Sequence, residues 1–134
     1  MKKFLAFVIV LTILVSVGTA VFAYPMPQDI GNYTNYAFNI HGGVTFPTIR
    51  YMQFPASYGV HNNASMTSGY FTTCIKKESG DDATGTKTIS NGQRITLSYY
   101  SANHTEYGYR LNMINQAYYG NSATGSWAPN DNCQ

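Results

Sequence analysis

Charged residues are scarce in this chain. They make up 10% of its 134 residues, against roughly 25% in an ordinary globular protein. Two of the eight basic residues are Lys2 and Lys3, and without them six basic residues face six acidic ones, which leaves no net charge on the rest of the chain. Nucleic acids and anionic lipids attract proteins mainly through a basic surface. We therefore expect neither a nucleic acid partner nor adsorption to a charged membrane.

Motifs typical of an enzyme are missing too. The sequence contains neither the H-E-x-x-H pair of zinc proteases nor the G-x-S-x-G of serine hydrolases. Its three histidines, His41, His61 and His104, are far apart in sequence, although a catalytic triad assembled in space is left open by sequence alone. We interpret the histidines as exposed loop residues, and we predict a protein that is not an enzyme and has no cofactor.

Metal-ligating patterns are equally sparse. Cys74 and Cys133 are the only two cysteines, and no histidine lies beside them at the spacing of a zinc site. In an exported protein such a pair most often forms a disulfide, which we predict here; two free thiols are the alternative. The acidic group around Asp81 and Asp82 lacks the alternating spacing of a calcium-binding loop, so we expect a solvated loop and no metal.

The N-terminus has the features of a secretory signal peptide. Lys2 and Lys3 precede an apolar run that extends to Val17, and Val21 and Ala23 supply small residues at positions −3 and −1 of a cleavage site. We expect cleavage after Ala23 and an extracellular protein. An uncleaved anchor is the alternative, but the run is interrupted by polar residues and is short for a membrane span. In either case, membrane contact would involve this segment alone.

After the signal peptide the pattern alternates with the period of β-strands. We predict strands over 33–40, 48–54, 69–77, 93–101, 107–114 and 123–128, and a tight type I′ hairpin at Asn91-Gly92. No segment has the period of an amphipathic helix. The sequence thus predicts an all-β protein, a small antiparallel β-sandwich of about six to seven strands. Residues 24–32 would form an extended leader and residues 33–134 a single, monomeric domain.

Aromatic residues supply the candidate binding site. Twelve tyrosines and one tryptophan stand in a neutral, asparagine-rich chain, and an aromatic ring offers an apolar face with a wet rim for stacking on sugars. Two pairs of tyrosines are adjacent in sequence, Tyr99-Tyr100 and Tyr118-Tyr119. Adjacent residues on a strand point to opposite faces, so one member of each pair should face outward. The alternative is ordinary packing of tyrosines across strands. The candidate binding residues are Tyr100, Tyr118, Tyr119 and Trp127.

Two stretches carry a resemblance to known proteins. Tyr36-Ala37-Phe38-Asn39-Ile40 begins the domain, and residues 110–119 and 124–129, the latter reading Thr-Gly-Ser-Trp-Ala-Pro, end it. This arrangement resembles a family of small secreted proteins of Gram-positive bacteria, which in turn are similar to the lactococcin-type bacteriocins. The cysteine pair departs from that pattern, and the resemblance assigns no site residue.

The resemblance implies a function at the envelope of competing bacteria. It implies a secreted, non-enzymatic, bacteriocin-like protein that binds a cell-envelope component or surface receptor. The alternative is a surface module that binds carbohydrate or protein in the cell wall. Because the chain beyond the signal peptide is neutral, membrane disruption of the kind seen with cationic peptides is not expected.

Overall fold

The computed structural model describes residues 29–52, 56–101 and 108–130. These residues form nine β-strands and no helix: β1 Gly31–Phe38, β2 Gly43–Thr45, β3 Arg50–Tyr51, β4 Tyr58–Met66, β5 Phe71–Lys77, β6 Lys87–Ile89, β7 Gln93–Ser98, β8 Gly108–Asn115 and β9 Asn121–Ala128. The all-β prediction is confirmed, with nine strands in place of six or seven. No helix in the described part of the chain is long and apolar enough to cross a membrane.

The strands form two antiparallel sheets that face each other. The first sheet has the order β1-β9-β4-β7, and the second has the order β2-β8-β5-β6, with β3 also paired to β8. Alternate side chains of both sheets meet in a core that includes Phe38, Phe71, Ile75, Ile89, Leu97, Tyr109, Leu111, Met113 and Trp127. The antiparallel β-sandwich follows from this arrangement.

Strand β4 was not predicted, although it lies in the middle of the first sheet between β9 and β7. Its inward-facing side chains include His61 and Asn63, both completely buried. These polar residues hide the apolar alternation that marks a half-buried strand. The interpretation of His61 as an exposed loop residue was therefore wrong, whereas His41 does lie exposed in a loop and His104 lies outside the described residues.

The buried His61 is part of a hydrogen-bond chain across the core. Thr73 Oγ1 donates to the Asn112 carbonyl at 2.9 Å, so it can only accept from His61 Nδ1, 3.1 Å away. His61 Nε2 then accepts from the Tyr33 hydroxyl at 2.7 Å. The ring is satisfied as the neutral form with its hydrogen on Nδ1, and burial lowers its pKa to about 3.

The prediction of a type I′ hairpin at Asn91-Gly92 is wrong, although a turn does form there. The turn exists, since the Gln93 N–H donates to the Ser90 carbonyl at 3.3 Å. However, β6 belongs to the second sheet and β7 to the first, so the turn joins the two sheets and no hairpin forms. Of the two central residues of this turn, Asn91 and Gly92, only Gly92 has a positive φ, +70°. This is the pattern of a type II turn, because a type I′ turn needs a positive φ at both central residues.

Strand boundaries differ from the predicted ones near the ends. β1 begins at Gly31, inside the predicted leader, and ends at Phe38, so Ile40 is an exposed loop residue. Within the predicted strand at 48–54, Arg50–Tyr51 form β3, which pairs with β8; residues 53 and 54 lie outside the described residues. The predicted signal peptide, residues 1–23, lies outside the described residues.

Candidate functional site

Four connections meet at one end of the sandwich: residues 39–42, 67–70, 90–92 and 116–120. Each lies between strands whose ends are paired there, as the register of Phe38 with Asn121 and of Gly43 with Ile114 shows. None of these four connections contains an aspartate, glutamate, lysine or arginine. The four connections therefore carry no fixed charge.

Five exposed side chains stand on three of these connections, and we call them the aromatic end: Ile40, His41, Tyr70, Tyr118 and Tyr119. Tyr118 and Tyr119 are 84% and 57% exposed. The rings of His41 and Tyr118 meet edge to face with centroids 5.4 Å apart, which joins the first connection to the last. Exposed apolar patches rimmed by polar residues mark binding sites on many proteins.

The four predicted binding residues separate into three locations. Tyr118 and Tyr119 lie together at the aromatic end. Tyr100 is 71% exposed but follows β7 at the opposite end of the sandwich, where its N–H donates to the Ala83 carbonyl. Trp127 is 3% exposed and belongs to the core, because it alternates with the outward-facing Ser126 on β9. It is not accessible for stacking on a ligand.

A buried asparagine fixes the geometry of the aromatic end. The side chain of Asn115 is completely buried. Its Nδ2 donates to the carbonyls of Asn39 and Tyr119 at 3.0 Å each, and its Oδ1 accepts from the Ala117 N–H at 3.1 Å. One side chain therefore holds the connection that carries Ile40 and His41 against the connection that carries Tyr118 and Tyr119.

A second asparagine extends this support to the connection with Tyr70. Asn121 Nδ2 donates to the Ser68 carbonyl at 2.6 Å and to Asn115 Oδ1 at 3.3 Å. Asn121 Oδ1 accepts from the Thr67 hydroxyl at 3.0 Å. The two amides thus connect all three aromatic-bearing loops, and because both amide side chains are buried, leaving their hydrogen bonds unmade is costly.

The backbone next to Tyr70 requires glycine. Gly69 has a φ of +69°, and a Cβ atom there would lie 3.1 Å from the Cβ of Ala117. Only a residue without a side chain adopts this conformation and this approach without strain. The connection before Tyr70 is consequently packed against the one that carries Tyr118.

Sequence reasoning missed the asparagines that support the site, although a signal was present. Asn115 continues the inward alternation of Tyr109, Leu111 and Met113 on β8, and Asn121 precedes the inward Ala123 on β9. A polar residue at an inward position predicts a buried hydrogen-bonded group. Ile40 was missed because the end of β1 was predicted two residues too late, whereas His41 was predicted as an exposed loop residue but not as part of a binding site.

The cysteine prediction cannot be followed to both partners. Cys74 is a buried free thiol on β5, with Sγ 3.7 Å from Asp82 Oδ1. Burial, with the neighbouring Asp82 carboxylate, raises its pKa to about 11, so the thiol is protonated at neutral pH. Cys133 lies outside the described residues, and the disulfide stays a prediction.

No cluster of acids, histidines and cysteines accompanies the aromatic end. Within residues 29–52, 56–101 and 108–130, no three such side chains come close enough to hold a metal ion. The chemistry of the site is that of aromatic faces, amides and hydroxyls, which bind neutral molecules by stacking and hydrogen bonding. Comparison of the chain with protein-family models, with curated proteins and with solved structures finds no match.

Proposed function

We propose that this protein is a secreted, non-enzymatic module that binds carbohydrate of the bacterial cell envelope through its aromatic end. The observation that carries the proposal is the uncharged group of exposed rings, Tyr70, Tyr118 and Tyr119, on loops that are held together by two buried asparagine side chains. Sugar rings present C–H groups on their faces and hydroxyls on their edges. A tyrosine ring matches the first, and its hydroxyl matches the second.

Preorganisation supports the proposal further. A flexible loop would lose conformational entropy when it orders around a ligand, at a cost of about 0.5–1.5 kcal/mol for each immobilised side chain. The bonds from Asn115 and Asn121 hold the backbone of these loops before any ligand arrives. The absence of charge from the four connections favours a neutral ligand, because a charged group would lose water without gaining a counter-charge.

The test is binding of the full-length protein to insoluble chitin, cellulose and purified Gram-positive cell walls in a pull-down assay. We expect saturable binding to at least one of these materials, with an affinity lowered at least tenfold by Tyr118→Ala or Tyr119→Ala. Tyr100→Ala is the matched control, since it removes an equally exposed ring at the opposite end, and it should bind as the wild type does. If Tyr118→Ala and Tyr119→Ala bind as tightly as the wild type and Tyr100→Ala, the assignment of the site is refuted.

A further inference from the structure

A second feature of the first sheet lies beside the aromatic end. Two β-bulges flank the same position of β9: the β1 pairing shifts register between Tyr33 and Tyr36, and the β4 pairing shifts between Asn63 and Ser65. Both shifts fall opposite Thr124 and Gly125. A bulge bends its strand and redirects nearby side chains, so two of them across one strand open the sheet surface locally.

A cleft of about 210 Å³ lies between the bulges. The polar side chains that line it are hydroxyls and an amide, and the apolar ones are Met66 and Ala123; the full lining is Asn35, Ser65, Met66, Thr67, Ser122, Ala123 and Thr124. No charged residue takes part. The cleft is smaller than the roughly 300 Å³ at which sites for whole drug-sized ligands begin, so it has room for one unit of a larger molecule.

Some of the polar groups in the cleft are already paired, and others are not. Thr124 Oγ1 accepts from the Asn35 N–H at 2.9 Å, and Thr67 Oγ1 accepts from the Ser122 N–H at 2.8 Å. These two hydrogen bonds hold Asn35 and Thr67, on either side of the cleft, against β9. Among the described residues, the hydroxyls of Ser65 and Ser122 and the Asn35 amide nitrogen have no hydrogen-bond partner. They are donors and acceptors that a ligand can use without displacing a protein bond.

The cleft adjoins the aromatic end along the chain. Ser122 is three residues after Tyr119, and three residues span at most about 11 Å. Asn121, between them, is one of the two asparagines that support the aromatic end. A ligand chain that stacks on Tyr119 therefore passes within a short distance of the cleft.

We infer that the cleft between the two bulges is a second saccharide subsite, so that the protein binds an oligosaccharide chain and not a single sugar. This inference rests on the proposed function and adds the length of the ligand to it. Sugar hydroxyls both donate and accept, so they can pair in either direction with the Ser65 and Ser122 hydroxyls and can accept from Asn35 Nδ2. Met66, which is partly exposed, supplies an apolar contact for the C–H face of the ring.

The test uses calorimetric titration of the full-length protein with neutral oligomers of two to six N-acetylglucosamine or glucose units. We expect the affinity to increase with length until both subsites are filled. Ser65→Phe fills the cleft and should remove this increase, which lowers the affinity for six units at least tenfold and leaves that for two units unchanged. Ser98→Phe is the matched control, since Ser98 is exposed on the neighbouring β7, and it should bind as the wild type does.

A second variant guards against misfolding. Asn35→Gly removes the amide but keeps the backbone N–H that bonds Thr124, and glycine suits the positive φ of 46° at this position. It should weaken binding of the long oligomers several-fold. If the wild type binds short and long oligomers equally, or if both cleft variants bind long oligomers as the wild type does, the second subsite is refuted and the aromatic end stands. If the wild type binds no oligomer while Tyr118→Ala abolishes binding to walls, the cleft inference fails and the proposed function stands. If the wild type binds neither oligomers nor walls, both the cleft inference and the proposed function are refuted.

Discussion

The His61 ring, held neutral by burial and by its hydrogen bonds, makes the free energy of unfolding depend on pH under acidic conditions. The folded protein holds the ring neutral, with a pKa near 3, while an unfolded chain would protonate it near 6.5. Because only the unfolded chain takes up this proton between pH 6.5 and pH 3, the free energy of unfolding decreases as the pH falls through this interval, by up to about 1.4 kcal/mol for each pH unit. Above pH 6.5 the ring is neutral in both states and stability is not reduced. We expect the free energy of unfolding, measured with urea, to fall by about 2 kcal/mol between pH 6.5 and pH 5.

Two variants separate this effect from the titration of other groups. His61→Gln removes the titrating ring and should make the same pH interval nearly flat, although the protein will be less stable throughout. His41→Ala alters an exposed histidine and should keep the wild-type slope. A wild-type stability that does not change between pH 6.5 and pH 5 would contradict the buried neutral ring.

The Tyr33 hydroxyl has a measurable role in the same chain. Tyr33→Phe leaves His61 Nε2 buried without its donor 2.7 Å away, so the unfolding free energy should fall by about 1–3 kcal/mol. Burial also raises the pKa of Tyr33 well above its usual range, and its ring should not ionise until the protein unfolds in alkali. Tyr36→Phe, on the same strand but exposed, should cost less than about 0.5 kcal/mol.

At the scale of the elements, Asn115 decides whether the loops of the aromatic end act as one unit. Asn115→Ala removes bonds to Asn39, Ala117 and Tyr119 together, and several buried groups then lack partners. We expect faster amide hydrogen exchange in residues 39–42 and 116–120 and weaker binding to cell walls. Asn112→Ala is the control, since it removes bonds to β2 on the outer face of the same strand and should leave exchange in 116–120 unchanged.

The turn between β6 and β7 offers a test of backbone conformation alone. A Cβ at Gly92 would meet nothing within 4 Å, but its φ is +70°. Gly92→Ala should therefore cost about 1–2 kcal/mol through the left-handed conformation and not through a clash. Gly85→Ala, where φ is not positive and only the Tyr100 hydroxyl is near, should not destabilise the protein. Thermal unfolding of the two variants distinguishes these outcomes.

The elements that sequence predicted well are those whose inward residues are apolar. The alternation of Tyr109, Leu111 and Met113 predicts the inward face of β8 correctly, and that of Phe71 and Ile75 does so for β5. Strand β4 could not be found in this way because His61 and Asn63 face inward. Local pattern also cannot reveal that the turn after β6 joins two sheets, since that depends on pairing with β5 and β4. The aromatic end needed the fold, because its five residues come from three separate loops.

For the whole molecule, the bacteriocin-like function stays a prediction that the growth of target cells can test. We expect the purified protein to inhibit a subset of Gram-positive strains, and we expect Tyr118→Ala to lose this inhibition if envelope binding is its first step. Tyr100→Ala should inhibit as the wild type does. Binding to walls without inhibition of any strain would favour the surface module over the inhibitor.

The predicted Cys74–Cys133 disulfide also belongs to this scale. A bridge would close a loop of about 60 residues and stabilise the protein by on the order of 4 kcal/mol in the chain-entropy model. We expect no alkylated cysteine when the purified protein is unfolded in iodoacetamide without reductant, and two when reductant is added first. Two alkylated cysteines in both samples would show free thiols, with Cys74 shielded in the native protein by its burial and its pKa of about 11.

The pairing of the first strand with the last has a consequence for how the chain is made. β1 bonds only to β9 among the described strands, and β4 takes one of its two neighbours from β9 as well. During synthesis from the N-terminus, the first sheet therefore lacks its central partner until residues 121–128 have emerged. Such distant pairings are slow to form, and the incomplete chain exposes strand edges meanwhile. If the predicted signal peptide directs export, this late completion of the first sheet would suit it, because a chain must be unfolded to pass through a narrow export channel.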